Sequence, residues 1–179
     1  VIKAGLNYVP EDRHADGLFK ISDVACNTSS ALLGTAQMGH FFLNRKEEKK
    51  VTQQYVDDFR IKVTGQDQLT GSLSGGNQQK IVIGRSLSTA PKLVILDEPT
   101  RGIDAAARGD VYSIIHQLRD QGVSILLISS DMEEIVELSD RAMSIYLGRV
   151  NCEFAKEDVN QDNLTSAAFG LIRKEEEKA

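Results

Sequence analysis

KLVILDEPT, residues 92–100, is the stretch on which the fold of this chain turns. Leu93-Val94-Ile95-Leu96 is a continuous apolar run of strand length, the kind expected of a central parallel strand covered on both faces. It ends in Asp97, Glu98 and Pro99. Ligands of open α/β sheets gather outside the carboxyl ends of the strands, so two acids there stand where chemistry is expected, although acids after a strand also serve purely structural ends.

Working outward, LSGGNQQK at residues 73–80 precedes the strand. Ser74 can cap a helix that runs toward Thr89, and Gly75 and Gly76 let a ligand approach the backbone. The free N–H groups of such a first turn favour a phosphate; the same residues also make an ordinary cap and turn. From Gln78 to Ser88, Ile81, Val82, Ile83 and Leu87 predict a helix buried on more than one side, stopped by Pro91. Downstream, Ala105–Asp120 carries a helical stripe of Val111, Ile114, Ile115 and Leu118, closed by Gly122. A second buried strand follows at Val123–Ile128, leading to Ser129-Ser130-Asp131. A short helix carries Met132, Ile135, Val136 and Leu138. Ala142–Leu147 reads as a third strand, turned at Gly148 into residues 149–154. Strands alternating with helices predict an α/β fold with a parallel sheet.

Toward the amino end, Leu6–Val9 reads as a strand closed by Pro10, with Glu11-Asp12-Arg13 at its edge or in a plain polar turn. Residues 21–70 change character. Val24, Leu32 and Leu33 suggest a helix, Arg45–Lys50 a solvated charge run, and Val51, Tyr55 and Phe59 one face of another helix, so a mostly helical insertion outside the sheet is expected. Gly34-Thr-Ala-Gln-Met-Gly39 has the glycine spacing of a phosphate-binding loop. It is followed by His40 and Phe41 where Lys and Ser or Thr are required, and no strand precedes it, so it is rejected. No other GxxxxGK[ST] occurs in the 179 residues. A short helix is expected near Leu164–Phe169, and a solvated charged tail at Arg173–Lys178.

The composition is that of a soluble globular protein, 41% hydrophobic and 26% charged. A net charge of −5 gives no basic face for nucleic acid. No apolar run approaches a membrane span, nothing resembles a signal peptide, and Cys26 and Cys152 form neither a disulfide framework nor a metal spacing. A chain opening on Val1 suggests a fragment or processed product.

With LSGGNQQK, VILDEPTRGID and LLISSD in this order and at these separations, the chain resembles the nucleotide-binding cassette of ABC transporters from about Leu6 to Gly148. YVPEDR, GNQQK, DEPTRGID and ISSDMEE narrow the resemblance to the carboxyl-terminal cassette of tandem ATPases that drive bacterial import of ribose, xylose, galactose or autoinducer-2. The resemblance implies a partial P-loop NTPase core of parallel strands flanked by helices, with a helical insertion. Residues 1–20 would be the Q-loop end of the core, 21–70 the helical subdomain, 71–154 the core with signature, Walker B, D-loop and switch, and 155–179 an extension and tail.

The same resemblance implies the site and its partners. Leu73, Ser74, Gly75, Gly76 and Asn77 would be the signature, reaching the γ-phosphate of ATP on an opposing cassette. Asp97 would hold Mg²⁺ through water, Glu98 would polarise the attacking water, and Asp104 would be the D-loop aspartate. Glu11 takes the place of the Q-loop glutamine, contacting nucleotide and metal, and Ser130 that of the switch histidine. Expected cofactors are ATP and Mg²⁺. Expected partners are a second cassette, transmembrane permease subunits and, indirectly, a periplasmic sugar-binding protein, with no nucleic acid, at the cytoplasmic side of the membrane.

Serine at 130 cannot carry positive charge toward a phosphate, which points to a weaker hydrolytic site. The Walker A loop and its strand find no counterpart within the 179 residues. Without that N–H cradle and lysine, these residues alone are expected to hydrolyse ATP negligibly, and a bare sheet edge predicts association or poor solubility. Rival expectations are a non-transport ABC ATPase of DNA repair or translation, and an interaction fragment without chemistry.

Overall fold

The computed structural model describes residues 4–39 and 42–172; His40, Phe41 and the Arg173–Lys178 tail lie outside the described residues. The chain divides into two compact units, one up to Ile128 and a second from Ser129 on.

The first unit is built on three parallel strands in the order β1 (Leu6–Val9), β2 (Leu93–Asp97), β3 (Ser124–Ile128). Leu6 stands beside Leu93 and Leu93 beside Ser124, so Tyr8, Ile95 and Leu126 share one face while Val9, Leu96 and Leu127 share the other. The connection from β1 to β2 carries α3 (Gly75–Leu87), and that from β2 to β3 carries α4 (Ala105–Asp120). Parallel crossovers are right-handed as a rule, and two that step the same way then put both helices on one face of the sheet. Asn7 confirms which face, because its Nδ2 donates to the Ser86 carbonyl in α3 and to Thr89 Oγ1 at 2.7 Å.

On that face Val9, Val94 and Leu96 are fully buried, as are Ile81, Val82 and Ile83 of α3 and Val111 of α4. Each such side chain contributes roughly 1.5–3 kcal/mol relative to exposure. The other face differs from the expectation of strands covered on both sides. Tyr8, Leu126 and Ile128 are 49%, 43% and 46% exposed, so the apolar run of β2 is fully buried on one face only. The sequence pattern registers hydrophobicity, whereas the sidedness comes from the crossovers.

The insertion is helical as expected, with α1 (Val24–Ser29) and α2 (Arg45–Asp58). Its two ends are tied together. An isolated bridge joins Asp23 to Leu69, Asn27 Nδ2 donates to the Phe19 and Asp23 carbonyls, and Thr70 Oγ1 donates to the Phe19 and Ser22 carbonyls. The Arg45–Lys50 run is not wholly solvated, because Glu48 is buried and accepts from Arg45 Nη1 at 2.7 Å and Ser29 Oγ at 3.1 Å. The rejected Gly34–Gly39 stretch follows a 3-10 turn at Ser30–Leu32 and buries Met38 beside Leu32 and Val51.

The second unit contains α5 (Met132–Leu138), β4 (Arg141–Tyr146), β5 (Arg149–Ala155) and α6 (Gln161–Ala168). The expected third parallel strand is corrected here: β4 pairs antiparallel with β5 in a separate two-stranded sheet. The reason is local. Leu147 and Gly148 both have positive φ, 49° and 76°, the backbone of a two-residue hairpin whose twist matches its strands. Ala142, Cys152, Phe154, Leu164 and Ala167 form this unit's core, with Met132, Ile135 and Val136 against it.

Candidate functional site

The loop that follows the acidic motif at the end of β2 meets the glycine motif further on, where a Cβ on Gly75 would stand 3.3 Å from the Gly102 carbonyl. Asp97 is the last residue of β2, and its Oδ2 accepts from the Tyr8 hydroxyl at 2.7 Å. That hydrogen bond, then desolvation and the charge of Asp97, raise the Tyr8 pKa above its ordinary value, so the phenol remains a donor at neutral pH. Glu98 follows in the left-handed region, φ 46°, with its N–H donating to the Ile128 carbonyl at 2.8 Å. A bulky residue held there is a local strain of the sort that collects at functional sites, and it turns the chain away from the sheet immediately after the strand. The loop continues through buried Thr100 to Gly102, φ 69°, and Asp104 caps α4 by accepting from Ala107 N–H at 3.0 Å.

Two of the expected site residues do something other than first read. Ser74 occupies the N-cap of α3 without capping it: its hydroxyl accepts from Asn77 Nδ2 at 2.9 Å. Asn77 in turn accepts from Lys62 N–H at 2.9 Å. The first-turn amides of α3 therefore receive no acceptor from the Ser74 side chain, which favours an electropositive helix start. Leu73 is buried beneath it, its carbonyl accepting from Gln78 Nε2 at 3.1 Å.

The two glycines are required by the chain itself. A Cβ on Gly76 would stand 2.4 Å from the Ala107 side chain of α4, and one on Gly75 would stand 2.9 Å from Arg13 Nη2. Arg13 is buried, and donates through Nη1 to the Arg101 carbonyl at 2.8 Å and through Nη2 to the Gly102 carbonyl at 3.3 Å. Burial lowers its pKa, with the charge of Asp12 opposing. Glu11 forms an ion pair with Arg101.

Ser130 belongs to the second unit, where it is exposed and precedes Asp131, whose Oδ1 accepts from the Glu133 N–H at 3.0 Å at the start of α5. Sequence reading missed Tyr8, Arg13 and Arg101. The arginine of the YVPEDR run was the available signal, since a buried arginine needs fixed acceptors.

The donor set suits a magnesium ion that arrives with a nucleotide. Mg²⁺ keeps several waters and takes one or two carboxylates plus phosphate oxygens, and Asp97 at a strand end offers one. Among the described residues no cluster of three or more His, Cys, Asp or Glu could hold a metal ion by itself. No helix among them is long and apolar enough to cross a membrane.

A three-stranded parallel sheet with an uncapped glycine-led helix and an acidic strand end defines an α/β nucleotide-binding architecture of the P-loop NTPase type. Residues 2–101, more than half of the chain, match the family described as ABC transporter, and the chain belongs to that family. Among solved structures it is similar to MJ1267, an ATP-binding cassette of an ABC transporter, with TM-score 0.74 and 18% identity over 95% of this chain and 69% of that one. It is also similar to an ABC transporter described as of metal-chelate type in an inward-facing conformation, with TM-score 0.75 and 20% identity over 92% and 63%. A third is the ATP-binding cassette MJ0796, a dimer bound to ADP and Pi, with TM-score 0.69 and 17% identity over 84% and 62%. At these identities the likeness is one of fold, and the chain spans about two thirds of the length of these structures.

Proposed function

We propose that the chain is the signature-bearing part of the ATP-binding component of a bacterial carbohydrate importer, coupling ATP hydrolysis to sugar uptake. The observation that carries this reading is the pairing, within one unit, of an uncapped Gly75 helix start with the Asp97–Glu98 strand end. The narrowing to sugar rests on YVPEDR, GNQQK, DEPTRGID and ISSDMEE.

ATP with Mg²⁺ supplies the phosphoanhydride to be cleaved and the charge that shields it. Asp97 would hold the metal through water, with Tyr8 steadying the carboxylate. Glu98 would orient and polarise the attacking water, and Asp104 would border the shared site. The N–H groups of Gly75 and Gly76, with the Ser74 hydroxyl and Asn77, would face the γ-phosphate of a nucleotide whose phosphates are cradled by a P-loop on another cassette. Glu11 and Ser130 would adjust the site, Glu11 through Arg101. The partners are a second cassette, permease subunits on the membrane and, through them, a periplasmic sugar-binding protein; the cassette lies peripherally on the cytoplasmic side. An acidic chain favours no nucleic-acid partner.

Affinity capture of the tagged protein from membranes of its own cells, with sugar uptake measured in parallel, tests this. Recovery of an integral membrane permease and loss of uptake on Glu98→Gln are expected. Recovery of ribosomes or DNA in place of a permease would overturn it.

A further inference from the structure

Two side chains from a single short segment close on a single short loop. Glu11 and Arg13 lie just beyond β1, and both reach Arg101–Gly102, between Glu98 and Asp104. Glu11 meets the Arg101 side chain, and Arg13 spans the Arg101 and Gly102 carbonyls with its two terminal nitrogens. The planar fork of a guanidinium suits two adjacent acceptors in a way that a lysine ammonium does not. Arg13 is only 9% exposed, and its Nε finds no acceptor among the described residues, so the burial of this charge is compensated chiefly at the loop.

The segment is also held by its own hydrogen bonds and packed at its far end. Asp12 Oδ1 accepts from His14 and Ala15 N–H at 2.8 and 3.0 Å, and the Asp12 carbonyl accepts from Asp16 N–H. Its far end, Gly17, packs on α3, where an added Cβ would stand 3.4 Å from Val82. It then runs directly into Phe19–Asp23, the stapled entrance of the helical insertion. The absence of a side chain at Gly75 is what lets the Arg13 guanidinium lie between the start of α3 and the loop.

We infer that Arg13, seconded by Glu11, is a positioning residue that sets the Arg101–Asp104 loop against the N-terminus of the Gly75 helix and so ties the helical insertion mechanically to the nucleotide site. The tie to the nucleotide rests on the function proposed above; the strap itself does not. A shift of the insertion moves the Glu11–Arg13 segment, and the loop bearing Asp104 follows. The ion pair alone is a weak arm, because both of its side chains are substantially exposed. The Arg13 arm carries the coupling.

Amide hydrogen exchange on the full chain, read by mass spectrometry over residues 99–104, tests the strap without any need for catalysis. Arg13→Lys keeps the charge and loses the fork; about tenfold faster exchange there is expected, with β2 and β3 protection and the melting temperature unchanged. A second pair of variants guards against misfolding: Glu11→Arg and Arg101→Glu each speed exchange slightly, and the double swap restores it. Exchange unchanged over residues 99–104 in Arg13→Lys overturns the strap. In the assembled transporter, Arg13→Lys should lower kcat for ATP about tenfold with KM within about twofold; faster exchange with kcat unaltered overturns the positioning role. Should the wild-type assembly hydrolyse no ATP, the functional reading fails while the exchange result still decides the strap.

Discussion

The two faces of the parallel sheet carry nearly equal hydrophobicity and meet opposite fates. Val9, Val94 and Leu96 point to α3 and α4 and lose all contact with water, while Tyr8, Leu126 and Ile128 one residue away keep nearly half of their exposure. The difference is topological. Both crossovers step from β1 toward β3, and with the right-handed connection that parallel strands favour, both helices fall on one side, so an apolar run fit for two-sided burial receives cover from one. The open face ends at Asp97, the residue on which the chemistry is proposed.

Substitutions can break this comparison. Leu96→Ala on the covered face should cost about 2–5 kcal/mol by urea denaturation, whereas Leu126→Ala on the open face should cost about 0.5 kcal/mol or less. Equal losses would mean that the two faces are equally packed. The second largest effect separates two adjacent glycines. Gly76→Ala drives a methyl against Ala107 in a neighbouring helix and should cost about 1–3 kcal/mol, while Gly75→Ala meets the movable end of Arg13 at 2.9 Å and the Gly102 carbonyl at 3.3 Å and should cost less, about 1 kcal/mol.

A smaller effect appears on acidification. Lys80, buried in α3, donates to Asp110 of α4 at 2.7 Å and holds that carboxyl below its ordinary pKa of 3.8. A depressed folded value means that the pair's contribution is fully present above pH 3.8 and is lost as the pH falls through the folded value. Asp110→Asn should therefore flatten the acid limb of a stability profile below about pH 4 and leave its slope at pH 5–7 unaltered. The smallest change concerns association and not folding. Leu126→Lys with Ile128→Lys should reduce self-association by light scattering at unchanged melting temperature, as charges on an exposed apolar strand do.

Much of the first unit was legible because its elements are marked by strong local chemistry. Leu6–Val9, the Leu93 strand and the Ala105–Asp120 helix stand where periodicity and the Gly and Pro stops put them. Four things were not legible, and most of them depend on residues far apart in sequence. Sheet sidedness requires the strand order. Burial of Glu48 requires Arg45 and Ser29 to converge on it. The use of Gly75 and Gly76 requires Arg13 and Ala107, which lie 62 and 31 positions away. The Gly-Gly pair reads as room for a ligand; it is first of all room for the protein's own side chains, and what remains for the proposed ligand is the set of amides that Ser74 leaves uncapped. The hairpin at Leu147-Gly148 was visible as a turn, but its strands' departure from the parallel sheet was not, because strand propensity carries no information about partners.

The most direct measurement is phosphate release from ATP and Mg²⁺ by the purified 179-residue chain, alone and as Glu98→Gln. On the proposed reading, its glycine-led helix and acidic strand end would complete a site whose phosphate cradle is supplied by another cassette, so no release above background is predicted for either protein. Robust turnover by the wild-type chain that disappears in Glu98→Gln would contradict this.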